Sequence, residues 1–78
     1  MNDIEFGYIK LKIEPVMIAR GLSRTKLTQL AQLQRKQLNK LLDGTALRID
    51  FEVLARICNA LDCKIEDILE YVPRNEDK

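Results

Sequence analysis

"GLSRTKLTQLAQLQRKQLNKLLDG", residues 21–44, reads as two short amphipathic helices joined by a tight turn. Ser23 is a good N-cap for the first of them, because its hydroxyl can accept from a backbone amide that the helix leaves unpaired. Leu22 before the cap and Leu27 at the fourth helical position have the spacing of a hydrophobic staple. Leu27, Leu30 and Ala31 form the expected buried stripe, and the helix is expected to end near Gln32. The next helix is expected over about Arg35 to Leu42, with Leu38, Leu41 and Leu42 at i, i+3, i+4 spacing. At about 100° per residue, Lys36, Asn39, Lys40 and Asp43 fall on the opposite side. Asp43-Gly44 closes the helix, since Gly44 can take the left-handed conformation that ends one.

Charge is concentrated here. From Arg20 to Arg48 there are seven basic residues (Arg20, Arg24, Lys26, Arg35, Lys36, Lys40, Arg48) and one acid, Asp43. The segment therefore carries +6, the whole chain +1, and the remainder −5, most of it after residue 49. That asymmetry predicts one cationic face on an otherwise acidic small protein. A basic, turn-linked pair of helices points to DNA.

Outward from this unit the breaks are legible. Ile9, Leu11 and Ile13 alternate with Lys10 and Lys12, which is strand periodicity. Pro15 suits the first turn of a helix running from about Glu14 to Arg20, with Gly21 as its stop. Val16, Met17, Ile18 and Ala19 make that helix apolar nearly all round, so the core or a partner must cover the surplus. After a loop from Thr45 to Ile49, Asp50 can cap a fourth helix. Its stripe is Leu54, Ile57, Cys58 and Leu61, with Phe51 one turn earlier. A fifth helix is expected over about Lys64 to Glu70, with Glu66 and Asp67 in the first turn, where the helix dipole favours acids. Pro73 ends the order. The organisation expected is an N-terminal strand or arm over 1–13, a domain over 14–73 and a polar tail over 74–78.

With 78 residues and 46% hydrophobic content, mostly aliphatic, the chain is one domain with a small core and is too apolar to be disordered. No apolar run approaches the roughly 20 residues that span a bilayer. The start Met-Asn-Asp has neither a basic nor an apolar leader region, so a cytoplasmic location with no membrane association is expected.

"GLSRTKLTQLAQLQRKQLNKLLDG" at 21–44 and "IDFEVLARICNALDCKIEDILEYVP" at 49–73 together resemble the Cro/Xre type of helix-turn-helix domain. The first matches that family's second helix, turn, third helix and closing Gly. The second is similar to the ending of a subgroup of very short Xre regulators. The resemblance runs from Leu22 to Val72, about two-thirds of the chain. It implies an all-α, five-helix phage-repressor-like fold, here with a short N-terminal β-strand segment. It also implies a transcriptional regulator, of bacterial or phage origin, binding double-stranded DNA through the third helix. By the resemblance, base reading falls to Gln34, Arg35, Lys36, Asn39 and Lys40. Arg or Lys can donate to guanine, and Asn or Gln can both donate to and accept from adenine. Phosphate contacts fall to Arg24, to Asp43 and Gly44 through backbone amides, and to Arg48. Arg20 and Lys26 read as solvated charges. Two positions depart from the family pattern: Thr28 stands where a small Ala is usual, and Gln32 where the turn usually has Gly. A non-Gly residue at positive φ costs about 1 kcal/mol or more.

Other chemistries find little support. Cys58 and Cys63 are the only cysteines and there is no histidine, a poor start for a four-ligand zinc site. Their spacing is not Cys-x-x-Cys, and both read as structural. Gly7, Gly21 and Gly44 are too scattered for a phosphate loop, and the chain is too small to enclose a usual pocket. No enzyme activity, no cofactor and no small-molecule ligand is expected.

A lone strand leaves backbone groups unpaired. The N-terminal strand is therefore expected to pair with its copy in a homodimer, with Ile4, Phe6, Ile9 and Leu11 at the junction over Ile18. A second reading, motivated by the apolar excess over 4–19 and the acidic C-terminal half, is a protein-interaction module such as an antitoxin or an adaptor. RNA binding is a weaker third, because Phe6, Tyr8, Phe51 and Tyr71 do not cluster into a stacking platform.

Overall fold

The computed structural model describes residues 6–74. The order is β1 (Tyr8–Leu11), α1 (Ile13–Ala19), α2 (Arg24–Ala31), α3 (Arg35–Asp43), α4 (Phe51–Leu61), α5 (Ile65–Ile68) and β2 (Leu69–Val72). Each helix contributes its apolar stripe to one core. Ile13 and Met17 come from α1, Leu27 and Ala31 from α2, Leu38 and Leu41 from α3. Val53, Leu54, Ile57 and Leu61 from α4 and Ile68 from α5 complete it, and α2 packs closely on α4. Among the described residues no polar or charged residue is buried in that core.

The chain is mostly helical, with a two-stranded sheet where one lone strand was expected. β1 pairs antiparallel with β2, in the register Tyr8 to Val72 and Leu11 to Leu69. The Lys12 amide donates to the Ile68 carbonyl at 2.7 Å and extends the ladder into α5. The expected fifth helix through Glu70 is thus corrected: α5 is a single turn, and Leu69–Val72 is strand. The expectation that the N-terminal strand needs a second chain for hydrogen bonding is corrected with it, because the chain supplies its own partner. Gly7 makes the close approach. It sits at φ +82°, and a Cβ there would collide with the Val72 carbonyl and the Tyr71 ring. The Tyr71 hydroxyl donates to the Phe6 carbonyl at 2.7 Å.

Several side chains lie differently from the expected stripes. Leu30 and Phe51 are exposed rather than buried, and Leu33, in the turn, is buried. Ile18 is two-thirds exposed at 66%, so the core does not absorb the apolar surplus of α1. Of the residues expected at a dimer junction, Phe6 and Ile9 are exposed, Leu11 packs against the chain's own core, and Ile4 lies outside the described residues, as do 75–78 of the tail.

Candidate nucleic-acid interface

The helix-turn-helix unit is pinned at three points. At the start of α2 the Ser23 hydroxyl accepts from the Lys26 amide at 3.0 Å. In the turn Gln32 takes the left-handed conformation, φ 56° and ψ 50°, and its amide donates to the Thr28 carbonyl. The turn therefore keeps its left-handed shape without glycine, held by Leu33 buried beneath it and by the Leu33 amide on the Thr28 carbonyl at 2.9 Å. The extra hydroxyl at Thr28 donates to the Thr25 carbonyl at 2.6 Å, so it fits inside the unit. At the far end Gly44 closes α3 at φ 77°.

Across these elements side chains from α2 and α3 interlock. The Arg24 guanidinium donates to Asn39 Oδ1 at 3.0 Å and lies 3.8 Å from the Glu14 carboxylate. One turn nearer the start of α3, Arg35 donates to the Thr25 hydroxyl at 3.1 Å. Gln34, Lys36 and Lys40 are exposed, and the Gln34 side chain makes no capping bond. Arg48 in the following loop lines a shallow depression with Gln37 and Lys40. The structure thus brings Arg24 to Asn39, Arg35 to Thr25, and Gln37 and Lys40 to Arg48, while Gln34 and Lys36 stand exposed at the start of α3.

A model of the Cro/C1-type HTH DNA-binding domain matches residues 12–74. The chain belongs to this Cro/C1-type family. It is similar to "Uncharacterized HTH-type transcriptional regulator YozG" of Bacillus subtilis (strain 168), with 35% identity over 63 residues, 81% of this chain and 75% of the relative. The family is one of DNA-binding transcription regulators, and the matched residues run from the end of β1 through α1 to α5 and β2.

Two expectations about individual residues, Asp43 and Gly44, change within this Cro/C1-type frame. The Gly44 amide donates to the Lys40 carbonyl as the helix cap, so it is not free for a phosphate. Asp43 and Gly44 also stand at the carbonyl end of α3, where the dipole repels anions. Arg20 is exposed, as expected, and it also has a structural role: its Nε donates to the Leu61 carbonyl at 2.7 Å and its Nη2 to the Asp62 carbonyl at 2.9 Å. It caps the end of α4 and ties it to α1. Lys26 is exposed, as expected.

Glu14, Thr25 and Gln37 were missed. Glu14 and Thr25 hold Arg24 and Arg35, across distances in sequence that no local pattern encodes. Gln37 faces solvent beside Lys40 and could have been found on the helical wheel.

The cysteines lie together at the end of α4, where the Cys63 amide donates to the Cys58 carbonyl at 3.1 Å. Burial first, then the neighbouring Cys58 thiol, pushes the Cys63 thiol up to about 11, which keeps it neutral and packed. Among the described residues no group of three or more His, Cys, Asp or Glu is placed to hold a metal ion. Among them also, no helix is long and apolar enough to cross a membrane.

Proposed function

We propose that this protein regulates transcription by sequence-specific binding to double-stranded DNA, with α3 in the major groove. The observation that carries the reading is the Arg24–Asn39 and Arg35–Thr25 pair of bonds, which fixes two polar side chains of α3 against α2. Preset side chains on a rigid helix suit base-edge recognition better than a mobile charged face does. Gln34, Arg35, Lys36, Asn39 and Lys40 are the base-reading set. Arg24 and Arg48 supply phosphate contacts, Arg24 from the start of α2, where backbone amides also favour an anion. The cation-rich face accounts for long-range attraction to DNA, and the acidic remainder keeps other faces off it.

The test is a binding titration against the DNA immediately upstream of the protein's own gene, with random duplex as competitor and at two salt concentrations. Tight, competitor-resistant binding that is lost on Lys36→Ala plus Lys40→Ala is the expected result. Absence of binding at low salt would overturn the reading.

A second reading, the protein-interaction module, is favoured by one observation: large apolar side chains stand exposed around a cleft beside α3 and α4. It differs in requiring that Lys36→Ala plus Lys40→Ala leave function intact.

A further inference from the structure

α4 ends in a Schellman closure. Asp62 takes the left-handed conformation at φ 52° and ψ 55°. Its amide donates to the Asn59 carbonyl at 3.3 Å, and the Cys63 amide reaches back to the Cys58 carbonyl at 3.1 Å. Such a closure brings together the side chain that follows the left-handed residue and one from the last turn of the helix, usually as an apolar contact. Here both positions are cysteine. The two thiols are in hydrogen-bonding contact. Both residues are half-buried at the core margin, and neither is sealed from solvent.

We propose that the Cys58–Cys63 pair is a binding site for a soft, two-coordinate metal ion, cuprous copper, held as a bis-thiolate within one chain. The donor set points to this class of ion. Among the described residues no group of three or more His, Cys, Asp or Glu forms around the pair. Zinc asks for about four ligands, whereas thiolates alone select soft ions such as Cu(I). The Asp67 carboxylate acts on Cys63 from nearby, but it is engaged as the cap of α5, where it accepts from the Lys64 amide at 2.9 Å. The closure sets the two sulfurs side by side before an ion arrives, which removes part of the ordering cost of a chelate. Charge agrees. Two thiolates around one monovalent cation leave a single negative charge. The Arg20 guanidinium is fixed on the Leu61 and Asp62 carbonyls, between the two cysteines in sequence, and favours the anionic form of Cys63.

Binding is not a redox step. Each thiol gives its proton to solvent, two S–Cu bonds form, and copper keeps its oxidation state. Because protons must leave, uptake strengthens as pH rises. The site goes beyond the DNA reading and does not depend on it.

Anaerobic titration of the reduced full chain with cuprous ion, against a coloured cuprous chelator such as bicinchoninate, tests it. The chain should take the ion from the chelator, more strongly at pH 8 than at pH 6. Native mass spectrometry should find one ion per chain. Cys58→Ser and Cys63→Ser should each abolish the transfer while far-UV circular dichroism stays unchanged. If a serine variant unfolds, alanine at the same position keeps an apolar contact and carries the test. No uptake by the wild-type chain overturns the proposal. So does uptake retained by either folded variant, or an ion shared between two chains. No DNA is present, so each outcome leaves the transcription reading untouched.

Discussion

Arg24 and Asn39, fifteen residues apart, are joined by a 3.0 Å hydrogen bond that ties the first turn of α2 to the exposed side of α3. The bond uses one lone pair of the Asn39 carbonyl, and the side-chain amide has two hydrogens and a second lone pair besides. Arg24 therefore has two roles in the account, a cation near the DNA backbone and a clamp on a base-reading amide. Glu14, 3.8 Å from the same guanidinium, steadies it, but both partners are over one-third exposed and the pair adds little to stability.

Arg24→Lys separates the two roles. Lysine keeps the charge and loses the planar fork. The slope of affinity against salt should be unchanged, while the preference for cognate over random DNA falls by about 1 kcal/mol, roughly fivefold. Parallel binding titrations on both DNAs would read this, and an unchanged preference would reduce Arg24 to a point charge.

Arg48→Ala should behave in the opposite way. It should weaken cognate and random DNA alike and lower the salt slope by about one. Loss confined to the cognate site would move Arg48 into the base-reading set.

Gly7→Ala tests the sheet. The new methyl would meet the Val72 carbonyl and Tyr71, at a φ of +82° that alanine resists. Stability should fall by about 1–2 kcal/mol with the helices kept. Hydrogen exchange at the Lys12 amide, bonded to the Ile68 carbonyl, should accelerate. Unchanged protection there would mean that the strands tolerate the methyl by shifting.

Most of the helical frame was legible because its signals are local. Ser23, the Leu38 and Leu41 spacing and Gly44 announce α2 and α3 within a few residues of where they act. β2 was not legible: Leu69–Val72 follows directly on a helix start rich in acids, and what makes it a strand is β1, some sixty residues away. The structural tie made by the exposed Arg20 was not legible for the same reason, since its partners are backbone carbonyls 41 and 42 residues distant. Leu30 and Phe51 sit on apolar stripes yet face solvent, because the stripes are wider than the surface the small core offers. In the site, the exposed cations of α3 could be read from the wheel, whereas the Glu14–Arg24–Asn39 link needed the fold.

The turn offers a further check. Gln32 stands at φ 56°, where a β-branched side chain is strained and glycine is not. Gln32→Val should cost about 1–2 kcal/mol in chemical denaturation, and Gln32→Gly should be close to neutral or stabilising. Equal stability of all three would mean that the turn adapts its backbone to the residue.

Cys63 carries a pH signature. Burial, then the Cys58 thiol, raises its pKa from 9.0 to about 11, so the folded chain holds that proton more tightly than the unfolded one. Its contribution to stability is full below about pH 9 and is lost as pH rises toward 11. Alkylation resolved by mass spectrometry should be slower at Cys63 in the folded chain than in denaturant at pH 8, and should climb between pH 9 and 11. Equal rates at pH 8 would place the thiol in solvent.

The most direct test of the recognition-helix account is a selection from a random duplex pool, run in parallel with the wild-type chain, Lys36→Ala and Asn39→Ala. The account predicts one enriched motif for the wild type. Each variant should relax one or two base positions of it, with a loss of roughly 1–3 kcal/mol on the full motif and little change on random DNA. Failure to enrich any motif, or an identical motif bound equally well by all three chains, would contradict the claim that α3 reads the bases.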